Sequence, residues 1–169
     1  MLLLIKNSMR KNVTEYLDIT EGLYSEKIAV EDANGCITFG EMKRNALKIA
    51  EFCVEQNIFK QPVCVYLPKS KEMVTSFVGT NYSGNFYVPL DIKSPDTRIR
   101  NILATLNPGL IITDEEHKDQ VENFGLPTVT VRCLCSRKEA DLSVVESARS
   151  RQIDTDPVYS IFTSGSTGI

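Results

Sequence analysis

The chain has 169 residues, 42% of them hydrophobic and 24% charged, enough for one sizeable core or for part of a larger domain. A net charge of −3 leaves no electrostatic ground for a nucleic-acid or anionic-membrane partner. Five cysteines fit no metal spacing, and a single histidine gives no Cys/His or Ser/His pair for nucleophilic catalysis.

The opening Met1-Leu2-Leu3-Leu4-Ile5 is apolar, but Lys6, Asn7 and Arg10 interrupt it before a signal h-region or a membrane span can form. The expectation is a cytoplasmic protein. Asn12 caps a first helix with Glu15 at its third position, and Val13, Tyr16 and Leu17 give it an apolar face up to Gly22. Ile28-Ala29-Val30-Glu31 and Cys36-Ile37-Thr38 read as a hairpin around Asp32-Ala33-Asn34-Gly35. Thr38-Phe39-Gly40-Glu41 is a capping box, opening a helix whose Met42, Ala46, Ile49, Ala50 and Cys53 recur at helical spacing to about Asn57.

From Pro62 the pattern changes. Val63-Cys64-Val65-Tyr66-Leu67 is a continuous apolar run, the mark of a strand buried on both faces. A helix follows from about Ser70, with Met73, Val74, Phe77, Val78 and Tyr82 on its inner side and Gly84 as its left-handed cap. Phe86 to Leu90 is a strand, Ser94-Pro95 starts a helix carrying Ile99, Ile102, Leu103 and Leu106, and Leu110 to Thr113 is a strand. A short polar helix lies near Asp114 to Phe124, with His117 on a solvated face, and Thr128 to Val131 is a further strand. This β-α-β-α-β-α-β order predicts an α/β fold with a mostly parallel sheet and flanking helices.

Cys36, Cys53 and Cys64 fall in apolar patterns and read as buried, while Cys133 and Cys135 form a C-x-C at a strand end. Residues 136–155 are polar and read as a connecting segment with one weak helical stretch. Val158 to Phe162 then resumes as a strand and delivers Thr163-Ser164-Gly165-Ser166-Thr167-Gly168 at its carboxyl end, the end where open α/β sheets bind ligands.

Small residues let backbone N–H groups approach an anion, and hydroxyls add donors, so this hexapeptide suits phosphate. By composition alone such a hexapeptide is more often a turn or linker, and its place at a strand end is what raises the phosphate reading. It is not a Walker loop, because Gly165 and Gly168 are too close and no lysine follows, and G-x-x-G falls short of the dinucleotide fingerprint.

Thr163 to Gly168, preceded by Asp156-Pro157-Val158-Tyr159-Ser160-Ile161-Phe162, resembles the signature loop of the adenylate-forming enzymes: acyl-CoA synthetases, luciferases and nonribosomal peptide synthetase adenylation domains. Asn81 to Asp91, with Pro95 and Arg98 beyond, resembles the second core motif of peptide-synthetase adenylation domains and D-alanine-activating ligases, and Ile37 to Met42 resembles the first. The second motif favours the amino-acid-activating branch. The resemblance implies ATP and Mg²⁺, a carboxylate or amino acid converted to an acyl-adenylate with release of pyrophosphate, and transfer to the phosphopantetheine thiol of a carrier protein. It assigns Thr163, Ser164, Gly165, Ser166, Thr167 and Gly168 to the ATP phosphates.

No position matches the family's later catalytic or metal-binding residues. Residues 1–169 are therefore expected to be an incomplete N-terminal part of an adenylation domain, inactive alone, with faces that favour self-association. In the family, Pro-Lys-Gly follows the loop, and this sequence ends at Ile169, just before it. The alternative is a natural short binding or interaction module with the same fold.

Overall fold

The computed structural model describes residues 12–163. Helix α1 (Thr14–Tyr24) starts beside Asn12, whose side-chain oxygen accepts from Thr14 N at 3.0 Å, although Val13 holds the cap position. The helix passes Gly22, where the sequence reading ends it. Strands β1 (Ile28–Asp32) and β2 (Gly35–Thr38) form the expected antiparallel hairpin. Asp32 accepts from Asn34 N across the turn at 2.7 Å, and Gly35 takes φ +117 there. Cys36 is exposed on this hairpin, contrary to its expected burial, because the two-stranded ribbon keeps one face in solvent.

Helix α2 (Phe39–Glu55) begins with the predicted capping box: Glu41 N donates to Thr38 Oγ1 at 3.2 Å and Thr38 N donates to Glu41 Oε2 at 2.9 Å. Strand β3 (Pro62–Tyr66) follows, then α3 (Lys71–Tyr82), β4 (Phe86–Leu90), α4 (Asp96–Leu106), β5 (Leu110–Thr113), α5 (Lys118–Glu122) and β6 (Thr128–Thr130). Ser70 caps α3 by accepting from Met73 N, and Gly84 leaves it at φ +81. At α4 the cap position is Pro95, one residue later than the Ser94 cap that the sequence suggests.

The four strands are parallel in the order β4-β3-β5-β6, so the chain enters in the middle, goes to one side and crosses back to the other. Their side chains alternate between two cores. Val63, Val65, Leu67, Leu110 and Ile112 meet Ile49 and Cys53 of α2 on one face. Cys64, Tyr66, Val88, Leu90 and Ile111 meet Ile99 and Leu103 of α4 and Val121 of α5 on the other. In register, Cys64 pairs with Val88 and Ile111, and Val65 with Pro89 and Ile112.

Three local readings are corrected. The buried face of α3 is Thr75, Ser76, Gly79, Thr80 and Tyr82, while Met73, Val74, Phe77 and Val78 are only partly covered. A Cβ on Gly79 would stand 2.6 Å from Ile49 Cβ and 2.8 Å from Ala46 O, so the missing side chain is what lets α3 lie this close to α2. Second, β6 ends at Thr130 and Val131 opens α6 (Val131–Cys135), which places Cys133 and Cys135 on a helix capped by Thr130 rather than at a strand end. Third, His117 is not on a solvated face. It precedes α5 with its side chain 18% exposed, its Nδ1 2.7 Å from Asp114 Oδ1 and its ring edge-on to Tyr66.

Within residues 136–155 lies α7 (Leu142–Arg149), capped by Asp141. Val145 and Ala148 are buried, and Val145 joins a third core with Ala46, Ala50 and Tyr82. Arg149 reaches Asp18 at 2.7 Å and lies over the Tyr82 ring. Among the described residues, no helix is long and apolar enough to cross a membrane.

Candidate functional site

The approach to the predicted loop is built on β4. Tyr159 pairs in parallel with Tyr87: Tyr87 N donates to Val158 O at 3.2 Å and Ser160 N donates to Tyr87 O at 3.0 Å. The two rings stack with centroids 5.7 Å apart, and Phe77 also stacks on Tyr87 at 4.1 Å. Only this single bridge forms among the described residues of the segment; the full strand expected over Val158 to Phe162 is not present. Tyr159 and Ile161 remain exposed, and an edge segment without a neighbour on its outer side gains little from extending the ladder.

Running parallel to β4, the chain leaves at the carboxyl end of the sheet. Phe162 packs against the core that contains Ile99 and Leu90, and its carbonyl accepts from Arg98 Nη2 at 3.3 Å. Thr163 is the last described residue. Ser164, Gly165, Ser166, Thr167 and Gly168 lie outside the described residues.

Beside Phe162 is a cleft of about 620 Å³. Its walls come from Leu67, Pro68 and Lys69 after β3, Met73 of α3, Pro89 to Ser94 at the end of β4 and in the turn beyond it, Arg98, Ile99 and Ile102 of α4, and Ile161 with Phe162. The residues lining it include three cations, Lys69, Lys93 and Arg98, against one carboxylate, Asp91. That carboxylate is engaged locally: Asp91 Oδ1 accepts from Lys93 N at 3.0 Å, and Ser94 N closes the same turn onto Asp91 O at 2.9 Å. Tyr66, at the end of β3, donates to Ile92 O at 3.3 Å and so ties the turn to the sheet. Burial pushes the Tyr66 phenol above its usual range, and the charge of Asp96 adds to this, so it stays a donor.

The arrangement suits an anion that also has an apolar part. Lysine and arginine supply positive field in a partly enclosed space, and Ile99, Ile102, Leu90 and Ile161 supply apolar wall. It does not make a metal site, and among the described residues no group of three His, Cys, Asp or Glu side chains is placed to hold an ion. Sequence reasoning quoted Arg98 only as part of a motif. It missed Lys69 and Lys93, whose one available signal is that each follows closely on the carboxyl end of a buried strand.

The crevice between β3 and β5, where the strand order reverses, is occupied differently. Thr113 Oγ1 donates to Tyr66 O at 3.0 Å, and His117 with Asp114 closes over Tyr66. The open cleft therefore lies on the β3/β4 side, next to Ile161 and Phe162.

Comparison with known proteins bears on the family and the fold. The family model described as AMP-binding enzyme matches residues 20–169. A D-alanine--D-alanyl carrier protein ligase of Streptococcus pyogenes is 36% identical over 133 residues, covering 78% of this chain and 25% of the relative. The Listeria monocytogenes protein of the same description is 28% identical over 162 residues, covering 95% of this chain and 32% of the relative. The chain thus spans a third or less of the length of these relatives. Among solved structures, VinN superposes with a TM-score of 0.72 at 23% identity, covering 94% of this chain and 44% of VinN. The O-succinylbenzoate Coenzyme A synthetase MenE from Bacillus subtilis, in complex with AMP, gives 0.74 at 20% identity, covering 94% of this chain and 40% of MenE. At those identities the likeness is one of fold, a parallel α/β sheet with flanking helices. Because the family model covers nearly all of its length, the chain belongs to the AMP-binding, adenylate-forming enzyme family.

Proposed function

We propose that this chain is the N-terminal part of an ATP-dependent ligase that activates a carboxylic acid, amino acids being the favoured class, as its adenylate with release of pyrophosphate. The observation that carries this reading is the parallel pairing of Tyr159 with Tyr87, which brings Thr163 to the carboxyl end of the sheet beside a cation-lined cleft.

In this reading the backbone N–H groups and hydroxyls of Thr163, Ser164, Gly165, Ser166, Thr167 and Gly168 hold the ATP phosphates. The hexapeptide contains no cation, and Lys69, Lys93 and Arg98 supply positive charge beside it. Donors fixed by the fold before substrate arrives cost no reorganisation when charge develops on phosphoryl oxygens. ATP, when bound with Mg²⁺, supplies the phosphoryl centre that the carboxylate attacks. Among the described residues no group of three His, Cys, Asp or Glu side chains is placed to hold Mg²⁺. MenE has been solved with ATP and a magnesium ion.

The substrate class follows from the relatives. Two are described as D-alanine--D-alanyl carrier protein ligases, and VinN has been solved with L-aspartate. An amino acid and a phosphopantetheine carrier protein are accordingly the proposed partners. Residues 1–169 alone are proposed to be inactive, with 136–155 connecting the sheet to the loop. Tyr16, Leu23, Ile28, Tyr159 and Ile161 are exposed, which supports self-association of this chain by itself. Light scattering on a dilution series tests that point, and a monomer throughout contradicts it. The activity itself is tested by ATP–pyrophosphate exchange with the complete gene product across a panel of amino and other carboxylic acids. Exchange with none of them overturns the reading.

A further inference from the structure

Arg98 is the one described side chain that the structure shows hydrogen-bonded to the backbone of residues 161 and 162, and it comes from a different element, the first turns of α4. Its Nη2 donates to Phe162 O at 3.3 Å. That oxygen belongs to the same peptide unit as Thr163 N–H. A trans peptide is planar, so its C=O and N–H point in opposite directions. Fixing the oxygen against α4 therefore fixes the direction of the first N–H in the Thr163 to Gly168 stretch.

The anchor is rigid at both ends. On one side, Phe162 packs against the core cluster to which Ile99 and Leu103, from the same helix as Arg98, belong. On the other, Ile99 is fully buried and Ile99 N bonds back to Pro95 O at 3.2 Å, so the turn holding Arg98 is itself seated. A guanidinium presents five N–H donors in a planar fork. Only one bond from it is made among the described residues. At 3.3 Å this bond is at the long end of the normal range, so its effect is orientation as much as energy.

We infer that Arg98 is a positioning residue: it clamps the Phe162 carbonyl and thereby sets the direction of the Thr163 N–H, the first donor of the proposed phosphate-binding stretch. The role rests on the proposed phosphate reading of that loop. It differs from a general stabilising role, because Arg100, two residues further on α4, makes a comparable bond to Asn123 O at 3.3 Å yet touches nothing that leads to the loop.

The test is amide NMR of the 169-residue chain, free and titrated with inorganic tripolyphosphate, for the wild type, Arg98→Ala, Arg98→Lys and Arg100→Ala. In Arg98→Ala the Thr163 amide resonance moves before any ligand is added, and tripolyphosphate binds about tenfold more weakly. Arg98→Lys keeps a charged donor and recovers most of the affinity, and Arg100→Ala behaves as wild type. Unchanged resonances for Val65 and Ile112 report an intact sheet in each variant. An unmoved Thr163 amide in Arg98→Ala overturns the positioning role, as does an equal effect of Arg100→Ala. If wild-type loop amides ignore tripolyphosphate, the phosphate reading fails, while the free-state position of the Thr163 amide still decides whether Arg98 sets the loop.

Discussion

Tyr159 lies beside Tyr87 in parallel register, joined by two backbone hydrogen bonds of 3.2 and 3.0 Å and by stacked rings, although 72 positions of sequence separate them (159 − 87). This contact, the Arg98 bond that follows it and the packing of Phe162 on the core lead the chain to Thr163 at the carboxyl end of the sheet.

Replacing Ser160 by proline removes the N–H that donates to Tyr87 O. The edge pairing should weaken by about 1 kcal/mol without unfolding the sheet. The Tyr87 amide, which donates to Val158 O, then loses hydrogen-exchange protection while the Cys64 amide in the central strand keeps it. Full protection of Tyr87 in Ser160→Pro would mean that the pairing does not hold the segment.

Gly79→Ala sets two effects against each other. Helix propensity favours alanine by about 1 kcal/mol. The new Cβ would meet Ile49 Cβ at 2.6 Å and Ala46 O at 2.8 Å, and a backbone oxygen cannot move aside without moving α2. Overpacking wins, and urea denaturation should show a loss of about 2 kcal/mol. A stabilised variant would contradict the close approach of α2 and α3.

Acid should weaken the contact between α1, α2 and α7. Burial pushes the Asp18 carboxyl up, but hydrogen bonds from Tyr82 and Lys43 and the charges of Arg149 and Lys43 outweigh it and leave Asp18 below the usual carboxylate value. A depressed folded value means that Asp18 stabilises the fold above its unfolded value of about 4 and loses that contribution as pH falls through the folded one. Asp18→Asn should cost about 2 kcal/mol at neutral pH and flatten the stability curve below about pH 4. Parallel curves for variant and wild type across that window would sink the assignment.

Thiol chemistry separates surface from core. Burial pushes Cys53 up to about 12, against a small opposing hydrogen bond with Ser83, and pushes Cys64 up to about 12 as well. Cys36 and Cys133 are exposed. An aromatic disulfide reagent near pH 8 should react promptly at Cys36 and Cys133, and at Cys53 and Cys64 only after denaturant is added. Prompt reaction at Cys64 would contradict a sheet covered on both faces.

How much of this was legible depended on whether a residue's environment is written locally. The central strands were readable because Val63 to Leu67 and Leu110 to Thr113 are apolar at every position, and each face has its own core to fill. The covered face of α3 was not. Thr75, Ser76 and Thr80 bond their hydroxyls to the helix backbone at Lys71 O, Glu72 O and Ser76 O, so polar letters pack as small apolar ones. Cys36 misled because its hairpin sits apart from the main sheet, with one side in solvent. At the site, the loop is a contiguous string and could be read. The cleft draws Lys69, Lys93 and Arg98 from three separated segments, and only folding brings them together.

The most direct measurement of the central claim is ATP–pyrophosphate exchange by the complete gene product, wild type and with Thr163, Ser166 and Thr167 changed to alanine. The account predicts exchange that depends on one amino acid or a few related carboxylates, and a fall of about tenfold or more in kcat/KM for ATP when the three hydroxyls are removed. Undiminished exchange in the triple variant, or none in the wild type with any acid tested, would contradict it.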